Sequence, residues 1–134
     1  MSAAQRNGAA SRRSLKLLIV DDSNIMRRRI ERSQQFEELE VVGTAGNGIE
    51  ALEMFRKTDP DVVTMDLTMP QMDGIECIER IVKLKPEVRI LVISALADKA
   101  TAVDAMEKGA NGFLNKPFTD RQLNEALAEL MRGR

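Results

Sequence analysis

Five short apolar runs alternate with stretches of helical periodicity, and this alternation limits the chain to a small set of folds. Three of the runs are nearly continuous in Val, Ile and Leu, as in parallel strands that helices cover on both faces. Each parallel crossover needs a helix to return the chain, so five β-α units predict an α/β fold: a doubly wound, five-stranded parallel sheet flanked by five helices. The runs are LKLLIV (15–20), LEVVGTA (39–45), DVVTM (61–65), VRILVIS (88–94) and GFLN (112–115).

The helices between the runs are indicated by apolar spacing and by capping residues. The last helix has apolar residues at i, i+3, i+4, i+7 and i+8 from Leu123 to Met131, with Thr119 as its N-cap. The segment 74–85 carries a stripe of isoleucines and ends before Pro86. Less regular patterns predict three further helices, near 23–35, 48–57 and 98–108.

Composition excludes several classes of function. Lys and Arg number 20 against 21 Asp and Glu, for a net charge of −1, and the chain has neither Trp nor Tyr, so we expect no nucleic-acid partner. A single cysteine, Cys77, rules out an intramolecular disulfide framework and a thiolate zinc cage. The absence of His removes the commonest general base. The chemistry must therefore depend on Asp, Ser and Lys.

The length of 134 residues predicts one domain, over residues 15–131. Residues 1–14 lack periodicity and carry three Arg and no acid, which predicts a disordered tail; a specific anchoring role is the alternative. The longest apolar run near the N-terminus, Leu17–Val20, is too short for a membrane span or a signal peptide. We expect a cytoplasmic protein without a membrane partner.

Polar side chains follow four of the predicted strands: Asp21 and Asp22 after the first, Asp66 after the third, Ser94 at the end of the fourth and Lys116 after the fifth. The carboxyl ends of parallel strands meet at one edge of the sheet, where ligands bind. Three carboxylates there form an oxygen cluster suited to Mg²⁺, because without a cation or Lys116 they would raise one another's pKa.

Each of these residues also has a structural interpretation. Asp21 or Asp22 could cap the first helix, and Asp66 could form a turn before Pro70. Ser94 could fill a strand end, and Lys116 could be solvated.

Four segments together resemble the receiver domain of bacterial two-component response regulators, over about residues 15–131. The resemblance implies the flavodoxin-like strand order 2-1-3-4-5, and it extends to the family's single-domain chemotaxis members. The segments are LLIVDDSNIMR (17–27), VVTMDLTMPQMDG (62–74), ILVISAL (90–96) and GANGFLNKPF (109–118).

The resemblance implies that Asp66 is the phosphoacceptor, which attacks a phosphoryl group in line and forms an acyl phosphate. It implies Mg²⁺ as the cofactor, bound by Asp21, Asp22, Asp66 and the backbone carbonyl of Thr68.

The resemblance also implies a conformational switch. Lys116, in a cis bond to Pro117, would pair with the phosphoryl oxygens, and Ser94 would donate a hydrogen bond to them. Phe113 would then swing inward. As a simple core residue Phe113 needs no switch.

The implied phosphodonor is a histidine kinase or a histidine phosphotransfer protein facing the first helix. That helix carries Arg27, Arg28 and Arg29, for which a solvated face is the favoured interpretation. The implied target binds the surface of the fourth helix, fifth strand and fifth helix, with the flagellar motor switch as the leading hypothesis. We expect a monomer.

Other functions remain open. A phosphorelay intermediate or a regulator outside motility is the main alternative. An aspartyl-nucleophile phosphatase would need an acid where Thr68 stands, and a degenerate receiver would lack one of Asp22, Asp66 or Lys116. Thr68 and Leu96 lie at the positions that tune phosphoryl lifetime in the family, and a bulky Leu96 could slow the entry of water.

Three smaller features are assigned structural roles. The GTAGNG segment (43–48) lacks the Lys of a P-loop and is predicted to be a strand-to-helix turn. Met65, Met69 and Met72 are predicted to fill gaps beneath the loop after Asp66. Cys77 is predicted to be a packing residue.

Overall fold

A five-stranded parallel sheet in the order β2-β1-β3-β4-β5 forms the centre of the molecule, in a computed structural model that describes residues 14–96 and 98–132. The predicted fold class and strand order are confirmed. The strands are β1 (Leu15–Val20), β2 (Leu39–Ala45), β3 (Val62–Met65), β4 (Arg89–Ser94) and β5 (Gly112–Asn115). The helices are α1 (Asn24–Ser33), α2 (Gly48–Thr58), α3 (Gly74–Leu84), α4 (Lys99–Glu107) and α5 (Asp120–Arg132).

Two apolar cores lie on opposite faces of the sheet. Along β1, Leu17 and Ile19 point into a core covered by α1 and α5, whereas Leu18 and Val20 point into a core covered by α2, α3 and α4. This double burial is the reason why the central strands β1, β3 and β4 are apolar at most successive positions rather than at alternate ones.

The sequence located most element ends to within a residue or two. β3 and β4 begin one residue later than predicted, and α1 ends at Ser33. Thr119 caps α5 as expected: its hydroxyl accepts a hydrogen bond from the Gln122 amide at 3.1 Å, and the Gln122 side chain accepts one from the Thr119 amide at 2.9 Å.

Among the described residues, no helix has the length and apolar character needed to cross a membrane. Residues 1–13, which make up nearly all of the predicted disordered tail, lie outside the described residues.

The glycine-rich segment differs in part from its prediction, because Gly43 lies within β2, Gly46 lies in the strand-to-helix connection and Gly48 is the first residue of α2. Cys77 is buried in α3, and burial raises the pKa of its thiol to about 12, as expected of a packing residue. Met65 is buried, and Met69 and Met72 pack against the α2-α3-α4 core as predicted.

Candidate functional site

Four strands bring polar side chains to the carboxyl edge of the sheet. Asp21 follows β1, Asp66 follows β3, Ser94 ends β4 and Lys116 follows β5. Backbone hydrogen bonds hold neighbouring strand ends together: the Asp66 amide donates to the Val20 carbonyl at 3.0 Å, and the Lys116 amide donates to the Ser94 carbonyl at 2.9 Å. The sheet therefore fixes where each of these side chains starts.

Asp21, Asp22 and Asp66 form a carboxylate cluster. Each contributes one oxygen atom to a group in which all three atoms lie within 4.8 Å of one another. Asp21 is 1% exposed and Asp66 is 4% exposed, whereas Asp22 is exposed to solvent. The cluster is thus buried on one side and open on the other, and its oxygen atoms are the ligands that Mg²⁺ prefers.

The environment of Asp66 raises the pKa of its carboxyl group to about 6. Burial is the largest cause, and the negative charge of Asp21 is the next. The positive charge of Lys116 and the Thr68 amide, 3.4 Å from the carboxylate, both lower this pKa, but they do not offset the effects of burial and of Asp21. A carboxylate in this position is stabilised by any further positive charge that enters the cluster.

Lys116 points into the cluster and not into solvent. Its ammonium nitrogen lies 2.8 Å from an oxygen of Asp21 and 3.7 Å from an oxygen of Asp66, and its side chain is 18% exposed. The interpretation of Lys116 as a solvated lysine is therefore wrong. The peptide bond between Lys116 and Pro117 is cis, as the resemblance implied.

The residue that caps α1 is Ser23, whose hydroxyl accepts a hydrogen bond from the Met26 amide at 3.1 Å. The Asp21 carboxylate accepts a hydrogen bond from the Ser23 amide at 2.9 Å and so supports the turn that leads into the helix. The alternative in which Asp21 or Asp22 caps this helix is thus wrong, and the cap leaves both carboxylates to the cluster.

Ser94 is the last residue of β4, and Phe113 lies on the neighbouring strand β5, opposite Val92. Ser94 is fully buried, and its hydroxyl oxygen accepts a hydrogen bond from the Leu96 amide at 3.1 Å. Phe113 is half-buried and packs against the α2-α3-α4 core, so its ring extends between the core and the surface.

The loop after Asp66 is packed tightly against the start of α3. The Gly74 amide donates to the Leu67 carbonyl at 3.0 Å. A Cβ atom on Gly74 would lie 2.4 Å from the Asp66 carbonyl oxygen and 2.6 Å from the Leu67 Cα atom. Only glycine permits this approach, which keeps the loop against the helix while Thr68 remains exposed.

The three arginines of α1 have different surroundings. Arg28 is exposed, as a solvated face predicts, but Arg27 and Arg29 are half-buried, and for them that interpretation is wrong. Arg27 donates to the Asp21 carbonyl at 2.5 Å and also to the side chain of Asn24.

Arg29 reaches the opposite side of the helix, where it contacts the connection between β5 and α5. A signal for both contacts was present in the sequence. Met26 and Ile30 are spaced i, i+4 and mark the buried stripe, so Arg27 and Arg29 flank that stripe whereas Arg28 does not.

A model of the response regulator receiver domain matches residues 17–128 of the chain. The chain belongs to this family. The receiver domain is 42% identical over 113 residues to the chemotaxis protein CheY of Listeria monocytogenes, covering 84% of this chain and 95% of that protein. It is also 44% identical over 125 residues to protein-glutamate methylesterase/protein-glutamine glutaminase 2 of Photobacterium profundum, covering 89% of this chain but 31% of that protein.

Solved structures include similar folds. The CheX-CheY-BeF₃-Mg²⁺ complex from Borrelia burgdorferi contains a chain that superimposes with a TM-score of 0.83 at 31% sequence identity, covering 87% of this receiver domain and 89% of that chain. The family that the sequence segments indicated is therefore confirmed, with CheY proteins among its relatives.

Proposed function

We propose that this receiver domain is phosphorylated on Asp66 by a histidine kinase or a histidine phosphotransfer protein and signals by binding a partner in its phosphorylated form. The observation that carries this proposal is the position of Asp66. Its buried carboxylate lies in the cluster with Asp21 and Asp22, 3.7 Å from the Lys116 ammonium. A nucleophile held between acidic and basic groups at the carboxyl edge of the sheet is suited to phosphoryl transfer.

The carboxylate cluster fits Mg²⁺. Asp21, Asp22 and Asp66 would bind the ion together with the backbone carbonyl of Thr68. A divalent cation would stabilise the ionised form of the three neighbouring carboxyl groups, of which Asp66 has a raised pKa. When bound, the ion supplies neutralisation of the charge on the transferring oxygens.

The chain's own residues supply the remaining steps. The Asp66 carboxylate attacks the phosphorus atom in line, and the imidazole of the donor leaves. Lys116 gives up part of its contact with Asp21 and pairs with the phosphoryl oxygens. The Ser94 hydroxyl oxygen accepts a hydrogen bond from the Leu96 amide, so its own hydrogen can be donated to the new phosphoryl group. Phe113 then moves inward into the space that the Ser94 side chain leaves.

Chemotaxis, with control of the flagellar motor, is the pathway that we propose. It is supported by CheY relatives that align over more than nine-tenths of their length. The partner would bind the surface of α4, β5 and α5, and the protein would act in the cytoplasm as a monomer. A phosphorelay or a regulator outside motility is the alternative. A phosphatase is disfavoured because Thr68 stands where its general acid would be.

Incubation with acetyl phosphate and Mg²⁺, followed by intact-mass measurement, tests phosphorylation directly. We expect one added phosphoryl group, lost in Asp66→Asn and in the presence of a chelator. Asp73→Asn is the matched control, because Asp73 is exposed in the same loop and Asn caps a helix as well as Asp does.

Two results would contradict phosphorylation on Asp66. One is the absence of any adduct in the folded wild-type protein, both with acetyl phosphate and with a phosphorylated histidine donor. The other is an adduct that persists in Asp66→Asn. Partner binding that is equal for wild type and Asp66→Asn in phosphorylating conditions would indicate a receiver that acts without phosphate.

A further inference from the structure

Arg29 makes two contacts with the connection between β5 and α5 and a third with the first residue of α5. Its guanidinium donates to the Phe118 carbonyl at 2.6 Å and forms an ion pair with Asp120 at 3.2 Å. Its guanidinium carbon also lies 4.3 Å from the centre of the Phe118 ring. The Arg29 side chain is 32% exposed, and Phe118 is buried in the core between the sheet and α5.

These contacts differ in strength. The ion pair with Asp120 is exposed at its acidic end, and such pairs contribute little. A guanidinium hydrogen bond to a carbonyl oxygen, combined with stacking over an aromatic face, is directional and depends on the planar arginine head. Arg29 therefore fixes the backbone at Phe118 more than it neutralises Asp120.

The same connection includes Lys116, which lies two residues before Phe118. On the strand side, the Lys116 amide is bonded to the Ser94 carbonyl at 2.9 Å. On the helix side, the Phe118 carbonyl is bonded to Arg29. Lys116 thus lies between two fixed backbone points, and its ammonium reaches the cluster from a short, restrained segment.

Helix α1 is also the helix that follows the carboxylates Asp21 and Asp22 directly. Ser23 caps it, and Arg27 donates to the Asp21 carbonyl at 2.5 Å. One helix is therefore bonded at its N-terminus to the loop that holds the acids and, through Arg29, to the segment that holds Lys116.

We infer that Arg29 is a positioning residue that holds Lys116 at its working distance from the carboxylates by fixing the Phe118 carbonyl to α1. The expected effect of Arg29 on the phosphorylation rate rests on the proposed function. Its expected effect on the position of Lys116 does not depend on phosphorylation. Arg29 itself does not touch the reacting atoms.

The kinetic test compares Arg29→Gln and Arg29→Lys with Arg28→Gln, a matched control at the neighbouring exposed position. At saturating Mg²⁺ we expect Arg29→Gln to slow phosphorylation by acetyl phosphate about tenfold, since misplacing a group that contacts the transition state by a fraction of an ångström has an effect of this size. The Mg²⁺ Kd should change less than about twofold, because the ligands of the ion are untouched. Arg29→Lys should recover part of the rate, and Arg28→Gln should equal wild type.

Amide hydrogen exchange provides the readout that does not depend on phosphorylation. In Arg29→Gln, exchange at the Lys116 amide should accelerate, while exchange at the Asp66 amide, bonded to Val20 within the sheet, should not change. If the wild type takes no phosphoryl group but this selective change occurs, the proposed function fails and the positional inference stands.

The inference is overturned if Lys116 exchange is unaltered in Arg29→Gln. It is also overturned if rate, Mg²⁺ affinity and exchange at both amides all change together, which would show a general loss of stability. Where the wild type is phosphorylated, equal phosphorylation rates for Arg29→Gln and Arg28→Gln would exclude a role of Arg29 in positioning Lys116.

Discussion

The ammonium group of Lys116 donates to the buried carboxylate of Asp21 at 2.8 Å, across 95 positions of sequence. The distance from the same nitrogen to Asp66 is longer, 3.7 Å. Lys116 thus compensates the charge of Asp21 more closely than that of Asp66, and in the proposed mechanism a phosphoryl group on Asp66 would compete with Asp21 for the ammonium group.

Replacing Lys116 by Gln should destabilise the fold when no divalent cation is present. Asp21 would be left as a buried carboxylate without its cation, and removal of one partner of such a pair costs about 3–5 kcal/mol. Urea unfolding in chelator measures the loss, and added Mg²⁺ should recover part of it. Arg121→Gln, which breaks an exposed pair with Glu125, is the control and should leave the unfolding midpoint unchanged. Equal effects of the two substitutions would show that Asp21 does not depend on Lys116.

Replacing Asp66 by Asn should stabilise the protein in chelator above neutral pH. A carboxyl group whose pKa rises on folding contributes stability that is complete below the unfolded value of 3.8 and is lost as the pH rises through about 6. The advantage of Asp66→Asn should therefore be small near pH 4 and grow to about 2–3 kcal/mol by pH 8. Urea unfolding of both proteins across this range measures it. A difference in stability between the two proteins that does not change with pH would show that folding does not raise the pKa of the Asp66 carboxyl group.

Replacing Gly74 by Ala should shift the loop that follows Asp66. The new Cβ atom would meet backbone atoms of Asp66 and Leu67, which cannot rotate away. We expect a destabilisation of about 1–3 kcal/mol, in spite of the better helix propensity of Ala, and slower phosphorylation by acetyl phosphate. Gly112→Ala is the control, because its Cβ atom would meet only the ends of the Leu91 and Leu130 side chains, at 3.2 and 3.8 Å. A Gly74→Ala protein as stable and as reactive as Gly112→Ala would refute the importance of this contact.

Replacing Leu96 by Ala should shorten the lifetime of the phosphorylated form. Leu96 is 42% exposed and lines a groove with Leu67, the residue next to Asp66. Removing its side chain would open the approach of water to the acyl phosphate. The measurement is the decay of the phosphorylated mass after removal of acetyl phosphate. Leu84→Ala, at an exposed leucine in another part of the surface, is the control, and an unchanged decay in Leu96→Ala would reject the idea.

The sequence determined the elements of the fold because their signals are local. The bounds of β1, β2 and β5 agree with the apolar runs that predicted them, since a short run of apolar residues is a signal carried by neighbouring positions of the chain. The cap of α5 at Thr119 was equally readable, because a capping box lies within four residues. The carboxylate cluster was predictable as well, since parallel strands bring their carboxyl ends to one edge.

Which of these polar groups pair with one another follows from long-range packing and not from any local pattern. The preference of Lys116 for Asp21 over Asp66, and the contact of Arg29 with the Phe118 carbonyl, join residues about 90 positions apart. Helical and strand periodicity specify the face on which a side chain lies, but not the element that packs against that face. The pairing depends on how closely the packed layers approach, and the length and direction of long side chains such as Lys116 and Arg29 then select one partner among several within reach.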